Sequence, residues 1–184
     1  QGYAPEQFGA VSAEDFLAAI NESKSSLIRI EADELTYPLH IMIRYEIEKG
    51  LFNGDMKVED LPQIWNDKYE EYLGVRPSND AEGILQDVHW AGGAFGYFPS
   101  YALGFLYASQ LKAAMLKDLP QFDELCANGD LEPIKNWLMK NVHRHGSMKK
   151  PLEILTEATG EGLNATYLVE YLEEKYGRIY QLDK

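Results

Sequence analysis

The stretch 32–51 constrains the fold of this chain more than any other segment. Leu35, Leu39, Met42, Ile43, Tyr45 and Ile47 are spread around most of a helical circumference instead of lying along one stripe. A helix of that kind has to be covered on more than one side, so the remaining segments must supply apolar helical faces that pack around it. Pro38 stands inside the stretch and predicts a bend there, and Asn53-Gly54-Asp55 ends it.

The covering faces are readable on both sides. Ser12, followed three residues later by Asp15, has the pattern of a helix N-cap with an acidic first turn, and Phe16, Leu17 and Ile20 recur behind it; together they predict a helix over 13–23. Ser26-Leu27-Ile28-Arg29-Ile30 is short and β-rich and suits a strand or the start of a helix. Asp60-Leu61-Pro62 puts a proline in a first turn, and Ile64, Trp65, Tyr69, Tyr72 and Leu73 follow at helical spacing up to Gly74. Residues 75–80 read as a loop and 99–116 as a third long apolar helix. Shorter helices start near Pro120, Pro133 and Pro151 and after Asn164, the last with Leu168, Tyr171, Leu172 and Tyr176 on one stripe. Apolar–polar alternation is scarce. The expected class is therefore mainly α with at most a small β-ribbon, arranged over 1–184 as one domain or a compact pair of subdomains.

Charge removes two classes of function. With 30 Asp and Glu against 17 Lys and Arg the formal charge is −13 at pH 7, whereas binders of nucleic acid or anionic membranes need clustered cations. A 45% hydrophobic composition excludes wholesale disorder. Cys126 is the only cysteine, so neither an internal disulfide nor a paired-cysteine zinc or redox motif can form, and a reducing, cytoplasmic setting is expected. Residues 1–10 lack the basic and apolar regions of a signal peptide, and no apolar run reaches the roughly 20 residues of a membrane span. Opening on Gln1 rather than Met predicts that the chain is part of something longer.

Two segments concentrate residues with chemical potential. In Ile28-Arg29-Ile30-Glu31-Ala32-Asp33, Arg29 and Asp33 share a face whether the segment is helix or strand. The pair suits either a structural ion pair or an arginine held by its carboxylate to grip an anionic group. From Gly83 to Tyr101, four glycines surround Gln86, Asp87, His89, Tyr97 and Tyr101; there backbone can approach a ligand and polar tips can converge, although His89 and the tyrosines also suit a packed interior. No HExxH, GxSxG or P-loop motif is present. His143 and His145 are two apart and face different ways on a helix, so they read as cations closing a last turn before Gly146 rather than as metal ligands.

Ile28 to Asp33 matches an I/V-R-x-x-A-D motif, and Gly83-Ile84-Leu85-Gln86-Asp87-Val88-His89-Trp90 matches G-x-x-Q-D-x-H-W. In this order the two motifs make the whole chain resemble the thermostable metallocarboxypeptidase family typified by carboxypeptidase Taq. The resemblance implies removal of C-terminal residues from peptides with one divalent metal, normally zinc, with cobalt or manganese as alternatives. It also implies the helical groove of angiotensin-converting enzyme and the neurolysin-like peptidases, and a homodimer in the full-length protein. Family members are longer, and the resemblance places their HExxH helix and third ligand upstream. The chain would then be the C-terminal part of the catalytic domain, without metal ligands and inactive alone.

Carried onto these residues, the resemblance makes His89 a donor to substrate backbone or to the tetrahedral oxyanion. Tyr101, twelve residues further on, becomes the second donor and Tyr97 the alternative. Arg29 would anchor the substrate's terminal carboxylate, with Arg76 and Arg44 as other candidates. Gln86 and Asp87 would position substrate or site, and Asp33 would orient Arg29. The competing expectation is a helical peptide-binding or dimerisation module without catalysis.

Overall fold

The computed structural model describes residues 4–182. It is mainly α, with no strand among the described residues, and it divides into two compact units. One runs through Ala102 and resumes at Arg178; the other is Leu103–Gly177.

The first unit contains α1 (Pro5–Phe8), α2 (Ala13–Ile20), α3 (Tyr37–Asn53), α4 (Leu61–Leu73), α5 (Val88–Ala91) and the start of α6 (Pro99–Asp118). Ser12 caps α2 as its spacing predicts, accepting the Asp15 N–H at 2.9 Å. The helix stops at Ile20, short of the expected 23, where the Asn21 side chain donates to the Leu17 carbonyl at 2.9 Å and satisfies a last-turn acceptor.

The long central helix begins five residues later than its hydrophobic pattern suggests, and the cause is Asp33. Its carboxylate accepts the N–H groups of Leu35 and Thr36, both at 2.9 Å, the Thr36 hydroxyl at 2.8 Å, the Lys24 N–H at 3.0 Å and the Ser23 hydroxyl at 2.9 Å. A side chain that occupied holds the backbone in a turn. Pro38 then falls in the first helical turn, where its missing N–H is not needed, so it opens α3 instead of bending it. The β-rich stretch before Asp33 forms a short 3-10 turn, Arg29–Glu31, and no strand.

Ile43 and Ile47 of α3 meet Leu61, Trp65, Tyr69 and Leu73 of α4 in the main core of this unit. The Trp65 and Tyr69 rings stack with centroids 5.0 Å apart, and each large apolar side chain in this set stabilises the fold by about 1.5–3 kcal/mol. Gly74 closes α4 at φ +67°, a backbone that a side chain would strain, and its N–H donates to the Glu70 carbonyl at 3.0 Å. Met42 and Tyr45, expected inside, are exposed. The positions they vacate go to polar residues: His40, Arg44 and Glu48 are buried on α3.

The second unit holds the body of α6, then α7 (Phe122–Asn128), α8 (Glu132–Asn141), α9 (Pro151–Thr159) and most of α10 (Thr166–Tyr180). Buried Gln110 fixes the turn after α9: its amide donates to the Gly162 carbonyl at 2.8 Å while its oxygen accepts the Asn164 N–H at 3.0 Å. His143–His145 form a 3-10 turn after α8, ahead of Gly146. No helix among the described residues is long and apolar enough to cross a membrane.

Candidate active site

Asp87 builds the site locally. One oxygen caps the short helix α5 by accepting the N–H groups of His89 at 2.8 Å and Trp90 at 3.0 Å. The other lies 3.2 Å from Arg44 Nε, and both side chains are 1% exposed. Arg44 also donates from Nη1 to the His40 carbonyl and the Tyr69 hydroxyl, each at 3.0 Å, and its guanidinium lies 4.5 Å from the Trp65 ring centre. A buried carboxylate thus has its counter-ion, and that counter-ion is anchored in the core.

His89 rises from this cap with its Nε2 3.1 Å from the Tyr101 hydroxyl. The spacing of twelve residues between them is spanned by the glycine-rich loop, which returns the chain so that Tyr101 sits in the first turn of α6. Tyr97 stacks on the imidazole with centroids 5.7 Å apart, and buried Phe98 packs against it at 4.5 Å. Arg29 joins from the 3-10 turn, its guanidinium 5.3 Å from the ring centres of both Phe98 and Tyr101. Arg29, His89, Tyr97 and Tyr101 are therefore brought together.

Two other expected residues stand elsewhere. Asp33 makes no ion pair or hydrogen bond with Arg29; its oxygens accept instead from the turn before α3 and from Ser23 and Lys24. Burial works to raise its pKa, but these hydrogen bonds outweigh it and hold the carboxyl below its ordinary value. Arg29 instead donates to the Tyr37 hydroxyl, the one acceptor its guanidinium has among the described residues. Gln86 is exposed, and its amide nitrogen donates to the Ala81 carbonyl. The rival arginines are engaged: Arg44 as described, and Arg76 by Asp67 at 2.8 Å and Glu70 at 2.6 Å.

Sequence reasoning passed over His40 and Glu48, and weighed Arg44 only as a rival anchor for substrate, not as a buried partner of Asp87. Their signal was a spacing of four within an otherwise apolar helix, which stacks them on one face. Glu48 accepts the Trp90 indole N–H at 3.0 Å and the Gly96 backbone N–H. His40 Nδ1 lies 3.0 Å from the Tyr69 hydroxyl. Since Arg44 only donates, the Tyr69 oxygen accepts from it and the Tyr69 O–H donates to Nδ1, which makes His40 a neutral acceptor there.

Burial, reinforced by the Arg44 and Arg29 cations, lowers the His40 pKa from 6.5 to about 4. The unfolded chain takes up this proton near pH 6.5 and the folded one only near pH 4. Stability is then undiminished above the upper value and drains away as the pH falls between the two, by about 3 kcal/mol in all. His40→Gln keeps an acceptor for Tyr69 and is expected to flatten that decline in denaturant unfolding across the window. An unchanged slope would assign it to other groups.

Among the described residues no three His, Cys, Asp or Glu side chains converge to hold a metal ion. The cluster offers hydrogen-bond donors and a cation in a partly enclosed aromatic setting, so what it can do chemically is bind and stabilise negative charge.

The sequence pattern of the carboxypeptidase Taq (M32) metallopeptidase family matches residues 1–176. Carboxypeptidase 1 of Bacillus subtilis is 63% identical over 182 residues, covering 99% of this chain and 36% of that protein. Thermostable carboxypeptidase 1 of Thermus thermophilus is 45% identical over 172 residues, covering 94% and 34%. The crystal structure of the M32 carboxypeptidase from Deinococcus radiodurans R1 superposes with a TM-score of 0.94 at 40% identity, covering 97% of this chain and 36% of that one. The chain spans about a third of the length of the curated relatives it matches. With the family pattern running over 1–176 and both sequence and fold in agreement, the chain belongs to the carboxypeptidase Taq (M32) metallopeptidase family.

Proposed function

We propose that this chain is the C-terminal part of the catalytic domain of a metal-dependent carboxypeptidase that hydrolyses the C-terminal peptide bond of peptides. The observation that carries the reading is the convergence of Arg29 with the hydrogen-bonded His89–Tyr101 pair. Arg29 holds the substrate's terminal carboxylate, and its guanidinium suits this because a single hydroxyl engages it among the described residues. His89 and Tyr101 donate to the oxygen that becomes negative as the peptide carbonyl turns tetrahedral. Asp87 keeps His89 in place through the α5 cap, and Tyr97 closes over the imidazole face.

The family's metal, zinc by resemblance with cobalt or manganese as alternatives, is held by residues outside this chain, among whose described residues no such set forms. The chain alone is then inactive. The reading extends to a cytoplasmic homodimer whose substrates are peptides, in keeping with the net charge of −13, which disfavours nucleic acid and anionic membranes.

The test is an assay of the intact, metal-loaded protein on one peptide with a free and an amidated C-terminus. Stepwise release of C-terminal residues from the free form only, lost on chelation, is expected. Arg29→Met is expected to raise KM for the free form by about 10- to 100-fold, the worth of a charge-assisted hydrogen bond of ~1.5–3 kcal/mol. Equal cleavage of the amidated peptide would overturn recognition of the terminal carboxylate by Arg29, and no cleavage of either would leave the non-catalytic peptide-binding module as the better account.

A further inference from the structure

The Glu48 carboxylate has no part in the roles assigned so far, yet it is buried and has two N–H donors aimed at it. We propose that Glu48 is a positioning residue for the His89–Tyr101 pair, one oxygen holding the Trp90 indole N–H and the other the Gly96 backbone N–H. The proposal rests on the reading of His89 and Tyr101 as donors to the substrate.

Trp90 is the immediate neighbour of His89 on α5, and Gly96 opens the segment Tyr97-Phe98 that leads into α6 and Tyr101. The two halves of the site are thus tied to one carboxylate. The first half of the connecting loop closes on α5 by itself, Gly93 N–H donating to the Trp90 carbonyl at 3.0 Å and Ala94 N–H to the His89 carbonyl at 2.8 Å. On the far side, Ser100 and Tyr101 bond back to Tyr97 and Phe98 as α6 starts. Gly96 lies between these self-closed halves at φ +76°, with no side chain of its own to hold it, and Glu48 holds its N–H.

The choice of side chain follows from the donors. Two N–H groups need two acceptors, which a carboxylate offers and an amide does not, because an amide would turn its own NH2 toward one of them. Glu48 also sits one helical turn beyond Arg44, whose guanidinium pairs with Asp87 at the start of α5. α5 is consequently gripped from α3 at its N-cap by Arg44 through Asp87 and within its single turn by Glu48 through Trp90. The 3.1 Å separation of His89 Nε2 and the Tyr101 hydroxyl depends on this spacing.

The experiment compares Glu48→Gln, Glu48→Ala, Gly96→Ala and the double variant Glu48→Ala/Gly96→Ala in the intact, metal-loaded protein, with His89→Ala and Tyr101→Phe alongside. Gly96→Ala disturbs the same link from the other end: its added carbon comes no closer than 3.9 Å to Glu48 Oε1, but the positive φ resists it. kcat is referred to folded protein by near-ultraviolet circular dichroism. Expected losses in kcat are about tenfold for Glu48→Gln and about 10²-fold for Glu48→Ala, with KM within about threefold of the parent. The double variant is expected to lose little more than its worse single parent, because both changes break one link. The proposal is overturned if Glu48→Ala keeps its kcat per folded molecule, or if the losses multiply in the double variant. Should His89→Ala and Tyr101→Phe themselves keep full kcat, the donor reading falls and takes this one with it. Should they lose it while Glu48→Ala does not, only the Glu48 proposal falls.

Discussion

Replacing Arg44 with methionine lowers the free energy of opening the α3–α5 region by about 3–5 kcal/mol, because the change strands a buried carboxylate. Arg44 is 1% exposed and serves Asp87, Tyr69 and the His40 carbonyl at once, so its removal leaves three acceptors short of a donor. The stem of methionine fills much of the space over Trp65 but offers no N–H. Adding Asp87→Asn removes the stranded charge while keeping an oxygen for the His89 and Trp90 N–H groups, and the double variant is expected to recover most of the loss. Hydrogen exchange of the α3 and α4 amides in the intact protein reads the change locally. A difference below about 1 kcal/mol would mean that the pair is solvated in solution and worth no more than a surface ion pair.

Tyr101→Phe and His89→Ala are each expected to cost about 10²–10³ in kcat in the intact protein, with KM little changed, since a donor to the developing oxyanion acts mainly in the transition state. Tyr101→Phe is the cleaner of the two. It keeps the ring that packs on Phe98, with centroids 5.9 Å apart, and beneath the Arg29 guanidinium, removing only the hydroxyl that faces His89 Nε2. Because the two side chains bond to each other, losing either misplaces the remaining donor, and the double variant should fall short of the product of the single effects. Steady-state kinetics on a peptide with a free C-terminus decides it. Retention of full kcat by Tyr101→Phe would reduce the pair to packing around Phe98.

These expectations and those for His40, Arg29 and Glu48 fall on residues that the sequence revealed unequally. Helix punctuation was legible at several local signals: Ser12 at the start of α2, Pro62 and Gly74 at the ends of α4, and the start of α6 at Pro99 all stand where spacing and residue chemistry put them, although Asn21 ends α2 three residues before its pattern does. The start of α3 was not, because Asp33 spends its carboxylate on a turn whose partners include Ser23 and Lys24, and that long-range use overrides the apolar pattern after it. For the same reason Arg29 faces Tyr37 and Tyr101 rather than the carboxylate four residues on.

The His89–Tyr101 pair was legible as two motif positions twelve residues apart, yet only the folded loop brings their polar atoms within 3.1 Å. The larger omission was the burial of the row His40, Arg44 and Glu48, of which only Arg44 had been weighed, and for another role. A helix with apolar residues around most of its circumference was read as burying those residues, whereas Met42 and Tyr45 face outward and the polar row faces in.

By itself, the sequence determined the helical class, most helix boundaries, a formal charge of −13, and the family through its two motifs. Each of these depends on neighbours close in the chain, or on sums over it. The tertiary structure alone decided which face of α3 is buried, who pairs with Arg29 and Asp33, and how Glu48 joins α5 to the glycine loop. Those are choices between partners distant in sequence, and they are made by burial: a charged group excluded from water takes whichever counter-charge or donor the packing places beside it.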